Sequence, residues 1–202
     1  ARNRGKHMPV IRMTLIEGYD DETRRALATR LTDAVRATID APLDGITVAI
    51  EEVRPASYMR GRVSRTPGAP LPSPADTVRA FLAAMEARDF DRARGFLADG
   101  FSMTFPGGRL FATLEELVSF GRQRYRFVKK TYTAFDECFG DAGIIVYCFG
   151  TLRGEWPDGT PFSGIRFIDR FEVDGGKLTG QLVWNDLAES ASMAMNSVAP
   201  AA

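Results

Sequence analysis

The chain has 202 residues, with 26 basic and 26 acidic side chains and no net charge, so electrostatics makes no case for a nucleic-acid partner or a membrane surface. No apolar run reaches the length of a membrane-spanning helix, and a single histidine, His7, excludes histidine-based triads and argues against a zinc or non-haem iron centre. With no glycine-rich phosphate loop or dinucleotide fingerprint, the expectation is chemistry without cofactor or metal, in the cytoplasm, where Cys138 and Cys148 remain thiols.

Residues 1–8 read as a leader that is basic and not apolar, neither a secretory signal nor a membrane anchor. Met8-Pro9 is the sharpest feature of the chain. If Met8 is the start, its removal leaves Pro9 with a free secondary amine. An α-amino group has a reference pKa of about 7.7–8.0, which an apolar pocket lowers further, so such a proline acts as a general base near neutral pH. If residues 1–7 are retained, Pro9 is an amide at the start of an edge strand, where a missing N–H is harmless. Both readings stay open on the residues alone.

Val10–Ile16 alternates in the period of a strand, with Ile11, Met13 and Leu15 on one side. Gly18-Tyr19-Asp20-Asp21-Glu22 supplies a turn, an N-cap at Asp20 and acidic residues for a first helical turn. Leu27, Leu31, Ala34, Val35 and Ile39 then recur at helical spacing, and Thr47–Val53 forms a second strand. A strand-helix-strand unit this short implies a parallel pair. It leaves one sheet face uncovered and needs partners to bury a core.

Pro9-Val10-Ile11, Leu15-Ile16-Glu17-Gly18, the acidic helix start, Asp40-Ala41-Pro42-Leu43 and Ile50-Glu51-Glu52-Val53 follow one another at a spacing that resembles the 4-oxalocrotonate tautomerase family. The resemblance runs from Pro9 to about Arg62 and implies proton transfer between carbon and oxygen by a terminal proline, in trimers or hexamers. Where that family has two arginines, this chain has Tyr19 and Thr47, which removes the expected carboxylate clamp unless Arg12, Arg54 or Arg60 substitutes. Tyr58 stands where an aromatic residue lines the family's pocket. The substrate-binding set expected for this domain, 9–60, is Tyr19 and Tyr58.

Residues 61–74 carry four prolines near their end and read as an extended linker. The second domain, 75–190, begins with an amphipathic helix over 75–88 and a shorter one over 91–97, then a strand over 101–105. Thr113-Leu114-Glu115-Glu116 is a capping box that opens a third helix. Four strands follow at about 130–139, 144–153, 162–173 and 177–186, joined by glycine-rich turns. The expected class is α+β: a small β-α-β unit linked to a cone-shaped barrel of three helices on a curved antiparallel sheet. The tail, 191–202, reads as disordered.

Thr77–Met85, Asp89-Phe90-Asp91, Phe167-Ile168-Asp169-Arg170-Phe171, Gly176-Lys177-Leu178 and Trp184-Asn185-Asp186 resemble the SnoaL-like branch of the nuclear-transport-factor-two-like superfamily. That resemblance implies the cone-shaped fold; its cyclases use an acidic residue to abstract a proton beside a carbonyl, and Asp186 is the better positional match. Strand parity puts Phe167, Asp169 and Phe171 on one face and Leu178, Leu182, Trp184 and Asp186 on another. If those faces line the cone, Asp169 and Asp186 project into an apolar cavity, where desolvation raises a carboxyl. The other reading pairs Asp169 with an arginine and lets Asp186 merely end a strand. Tyr125, Tyr147, Trp156 and Trp184 are aromatic candidates for the pocket.

The combined expectation is a cofactor-independent isomerase, tautomerase-like or polyketide-cyclase-like, acting α to a carbonyl through Pro9, Asp186 and Asp169. Its partner would be a small apolar or carbonyl-bearing substrate, in a homo-oligomer (dimer, trimer or hexamer). The alternative is a non-catalytic ligand-binding or scaffolding protein whose first unit only drives oligomerisation.

Overall fold

The computed structural model describes residues 8–141 and 143–197 and divides after Pro70 into two compact units. The expected leader, apart from Met8, and the last five residues of the expected tail lie outside the described residues.

In the first unit, β1 (Val10–Ile16) pairs in parallel with β2 (Thr47–Val53), from Val10 opposite Thr47 to Ile16 opposite Val53. The crossover is α1 (Asp21–Thr38). Asp20 caps it by accepting the Thr23 N–H at 2.8 Å. Arg24 ties the helix start to β2, donating to the Tyr19 carbonyl at 2.7 Å and to Glu52 at 2.8 Å. Beyond β2, β3 (Met59–Arg60) and β4 (Val63–Ser64) make a minimal hairpin, so the segment expected to be linker begins with ordered turn structure. Gly61 and Arg62 in its turn both take the left-handed conformation. Among residues 8–70 none is buried. Ile11, Met13, Leu27, Leu31, Val48 and Ile50 are only half-buried, because α1 covers one face of a two-stranded sheet and nothing in the unit covers the other.

The second unit opens with α2 (Pro74–Ala87), capped by Ser73, and the short α3 (Phe90–Arg94), capped by Asp89. Next come β5 (Leu97–Phe105), β6 (Arg109–Phe111) and α4 (Leu114–Arg122). The long strands β7 (Phe127–Gly140), β8 (Gly143–Glu155), β9 (Pro161–Asp174) and β10 (Lys177–Asn185) complete one six-stranded sheet in the order β6-β5-β10-β9-β8-β7. The sheet is antiparallel except where β10 lies parallel to β5. Register shifts interrupt the pairing of β7 with β8, of β8 with β9, and of β10 with both its neighbours, and such bulges bend strands. α2 packs on β7, β8 and β10, burying Val78, Phe81 and Ala84 against Met103, Val146, Phe171 and Leu178.

The second unit agrees with the sequence reading in one helix and departs from it in another. The third helix and its capping box form as expected, with the Thr113 hydroxyl accepting the Glu116 N–H at 3.2 Å and the Glu116 carboxylate accepting the Thr113 N–H at 3.3 Å. The start of the expected disordered tail is instead helical: α5 (Leu187–Ser197) packs on β9 and buries Leu187, with the Asn185 side chain accepting the Leu187 N–H at 3.2 Å.

Candidate active site

The second unit encloses a cavity of about 340 Å³ between α2, α4 and the inner face of the sheet, at the small end of the range for ligand pockets. Phe81, Leu82 and Met85 reach it from α2, Leu117 and Val118 from α4, and Val128, Lys130 and Tyr132 from β7, with Gln181 contributed by β10. Val128, Lys130 and Tyr132 share one strand face, so a lysine is carried inward between apolar neighbours.

Behind Lys130 lies Asp169 of β9, fully buried. One carboxylate oxygen, Oδ2, accepts from the Lys130 ammonium and from Gln181 Nε2 at 3.5 Å, while Oδ1 is buried without a hydrogen-bond partner. Burial pushes the Asp169 carboxyl above its ordinary range, against the opposing pull of Lys130 and Gln181. The ammonium also sits 4.6 Å from the centre of the Phe167 ring. Burial likewise raises the Tyr132 and Tyr125 hydroxyls, and it pushes the Cys148 thiol, opposite Asp169 on β8, up to about 12. The group thus combines an ammonium at the cavity wall, a carboxylate behind it and an acceptor oxygen left over. In a dry environment the charged and neutral forms of such a pair come closer in energy, which suits reversible proton transfer.

Tyr125 reaches the same cavity. Its hydroxyl lies over buried Gly121, where an added Cβ would stand only 2.6 Å from the tyrosine oxygen.

The other expected members of the site lie elsewhere. Asp186 is past the end of β10, partly exposed, and accepts from Arg166 Nε at 2.7 Å. Trp184 is 48% exposed. The cause is the bulge between Leu178 and Gly180: it reverses the alternation, so Gln181 and Val183 are buried and Leu182 and Trp184 turn outward. Tyr147 also belongs to the outer face, hydrogen-bonded to Arg170, and Trp156 packs on Phe162 with ring centres 4.4 Å apart. Asp169 is ion-paired, though to a lysine and not to an arginine. Sequence reasoning missed Lys130, Tyr132 and Gln181. The alternation Val128-Lys130-Tyr132 was a usable signal for the first two; nothing local marks the third.

In the first unit, Pro9 is half-buried at the start of β1, its carbonyl accepting the Thr47 N–H at 3.0 Å. Tyr19 and Tyr58 come after the opposite ends of β1 and β2, whose seven residues each span about 20 Å. The strand pair therefore launches the expected base and its expected aromatic partners from opposite ends.

Among the described residues no group of His, Cys, Asp and Glu is arranged to hold a metal, and no helix is long and apolar enough to cross a membrane. Comparison with known proteins separates the two units. The family described as tautomerase enzyme matches residues 9–66, and the family described as SnoaL-like domain matches residues 78–181. A protein of Halalkalibacterium halodurans named probable tautomerase is 43% identical over 51 residues, 25% of this chain and 84% of that one. A probable tautomerase of Staphylococcus epidermidis is 41% identical over 59 residues, 29% of this chain and 97% of that one. Among solved structures, TerC co-crystallised with polyporic acid superposes with a TM-score of 0.51 at 18% identity, over 59% of this chain and 97% of that one, a likeness of fold. The family matches point to an isomerase or cyclase kind of function.

Proposed function

The chain belongs to the tautomerase family over residues 9–66 and to the SnoaL-like family over residues 78–181, and from that starting point we propose that it is a cofactor-independent isomerase of small carbonyl compounds whose reaction runs in the cavity of the second unit. The observation that carries this reading is the Lys130–Asp169 pair: an ammonium at the wall of a mostly apolar cavity, backed by a fully buried carboxylate with one oxygen to spare. With the pair charged, the Lys130 ammonium faces the oxygen of an enol or enolate and stabilises its negative charge. With the proton on Asp169, the Lys130 amine accepts a proton from the carbon beside a carbonyl. Returning that proton to oxygen or to another carbon completes an isomerisation with no net oxidation. Asp169 does not touch the substrate and acts as a positioning residue that stores the proton.

A second reading is favoured by the probable tautomerases aligned to the first unit: Pro9 as the base, liberated as an N-terminal amine. The absence of any buried residue among 8–70 supports assembly with further copies of the chain in either case.

The test is ketonisation of phenylenolpyruvate, followed by its ultraviolet absorbance. Lys130→Met and Asp169→Asn should each slow turnover by about 10²–10⁴-fold, as for a lost acid–base group, with Pro9→Ala close to wild type. If Pro9→Ala abolishes the rate and Lys130→Met leaves it intact, the chemistry belongs to the first unit. If no variant changes the conversion of any enol, the chain is a binding protein.

A further inference from the structure

The charge around the cavity carries information that its apolar walls do not. Arg88, Arg122, Arg126, Lys129 and Lys130 all line it, and Glu86 is the one carboxylate among the described lining residues. Two of these cations are already matched: Arg126 to Glu155 at 2.6 Å, and Lys130 to Asp169. Arg88 donates to its own helix end, the Met85 carbonyl, at 3.1 Å. Arg122, at the end of α4, is exposed and has no ion-pair partner among the described residues, whereas Lys129 lies on the face of β7 opposite Lys130, beside exposed Arg153. A chain with equal numbers of acidic and basic residues has therefore concentrated one sign at one opening. Low-dielectric walls focus that field inward.

We propose that the cavity selects a small aromatic or conjugated compound carrying one carboxylate or enolate, its ring among Phe81, Leu117 and Val128 and its anionic end toward Arg88 and Arg122. A neutral ligand of the same shape would use the walls and gain nothing from the rim. A cationic ligand would be excluded, because the rim repels it and Glu86 alone cannot compensate. The volume, about 340 Å³, suits one or two fused rings and not a long chain. The inference rests on the reading that this cavity is the reaction site and narrows that reading to anionic substrates. It also assigns Arg88 and Arg122 a role in recognition, apart from the proton transfer at Lys130.

Binding of three probes of matched size to the full chain tests it by calorimetry: 2-naphthoate, 2-naphthalenemethanol and 2-(aminomethyl)naphthalene in its protonated form. The naphthoate should bind about tenfold more tightly than the alcohol at low salt, with the gap shrinking as salt rises, and the ammonium should not bind. The double substitution Arg88→Gln with Arg122→Gln, at two exposed positions, should bring naphthoate to within about twofold of the alcohol while leaving the alcohol's affinity unchanged. An alcohol that binds as well as naphthoate, a preference that survives the double substitution, or no binding by any probe would each overturn the proposal. Its failure is separable from that of the reaction-site reading. Lost preference with turnover still dependent on Lys130 sinks only the charge selection. Preference retained with turnover independent of Lys130 sinks only the acid–base assignment.

Discussion

The two units are built from the same parts, a sheet with helices against it, and differ in how far the sheet wraps around its helix. In the second, six strands bend around α2 until Val78, Phe81, Val146, Phe171 and Leu178 are essentially sealed from water. In the first, two strands and one helix leave every described residue at least partly exposed, including Val10 at 58% and Met59 at 64%. A small unit buries a smaller share of its surface, and a two-stranded sheet is marginal without a covering layer. The comparison teaches that a cavity able to dehydrate a carboxylate requires a broad sheet bent round a helix, whereas the two-stranded unit can offer such a site only where another molecule covers it.

The comparison breaks most easily in the core of the second unit. Phe171→Ala should destabilise that unit by about 3–5 kcal/mol, read as a lowered denaturation midpoint; a change below 1 kcal/mol on the same scale would mean the sealed core is not what holds the fold. Lys130→Met comes next, at about 3 kcal/mol, because it strands a buried carboxylate. Its pH dependence sharpens the argument. Burial raises the Asp169 carboxyl in the folded state, so the fold holds that proton more readily than the unfolded chain does. The stabilising contribution of the neutral acid is complete below about pH 4, the unfolded carboxyl range, and declines as pH rises toward the raised folded value. Losing Lys130 removes the opposing cation, so urea midpoints of the variant should fall more steeply with pH over that window than those of wild type.

A smaller effect separates the units by concentration. On dilution of the full chain, amide hydrogens of β1 and β2 should exchange several-fold faster, while those of β8 and β9 should not change, since only the two-stranded unit depends on association. Equal behaviour of both sheets would show that the first unit holds itself together. The smallest is local: Thr113→Ala removes one side of a capping box and should lower stability by about 1 kcal/mol in urea unfolding, with the cavity chemistry intact.

Much of the fold was legible because its signals are local. The alternation of Val10–Ile16, the caps at Asp20 and Thr113, and the glycine-bearing turns between β7, β8, β9 and β10 each depend on a few adjacent residues. The site was less legible because it depends on register. Period-2 counting from Leu178 sends Trp184 and Asp186 inward; one extra residue at Thr179 sends Gln181 and Val183 there instead. Asp169 was found because β9 pairs with β8 without a break from Ile165 to Val173. Lys130 was passed over because a lysine is ordinarily a surface residue, and what draws it in is a carboxylate 39 positions along the chain. The parallel contact of β10 with β5 leaves no mark on either strand's composition.

Gly121 has a further consequence. The phenol of Tyr125 rests where that residue's missing side chain would be, so a single methyl at this point on α4 would tilt the ring and redraw the outline of the space beside it. The breadth of compounds accepted would then shift while Lys130 and Asp169 stayed as they are. Selectivity could diverge between descendants of this chain through the smallest available change in carbon count.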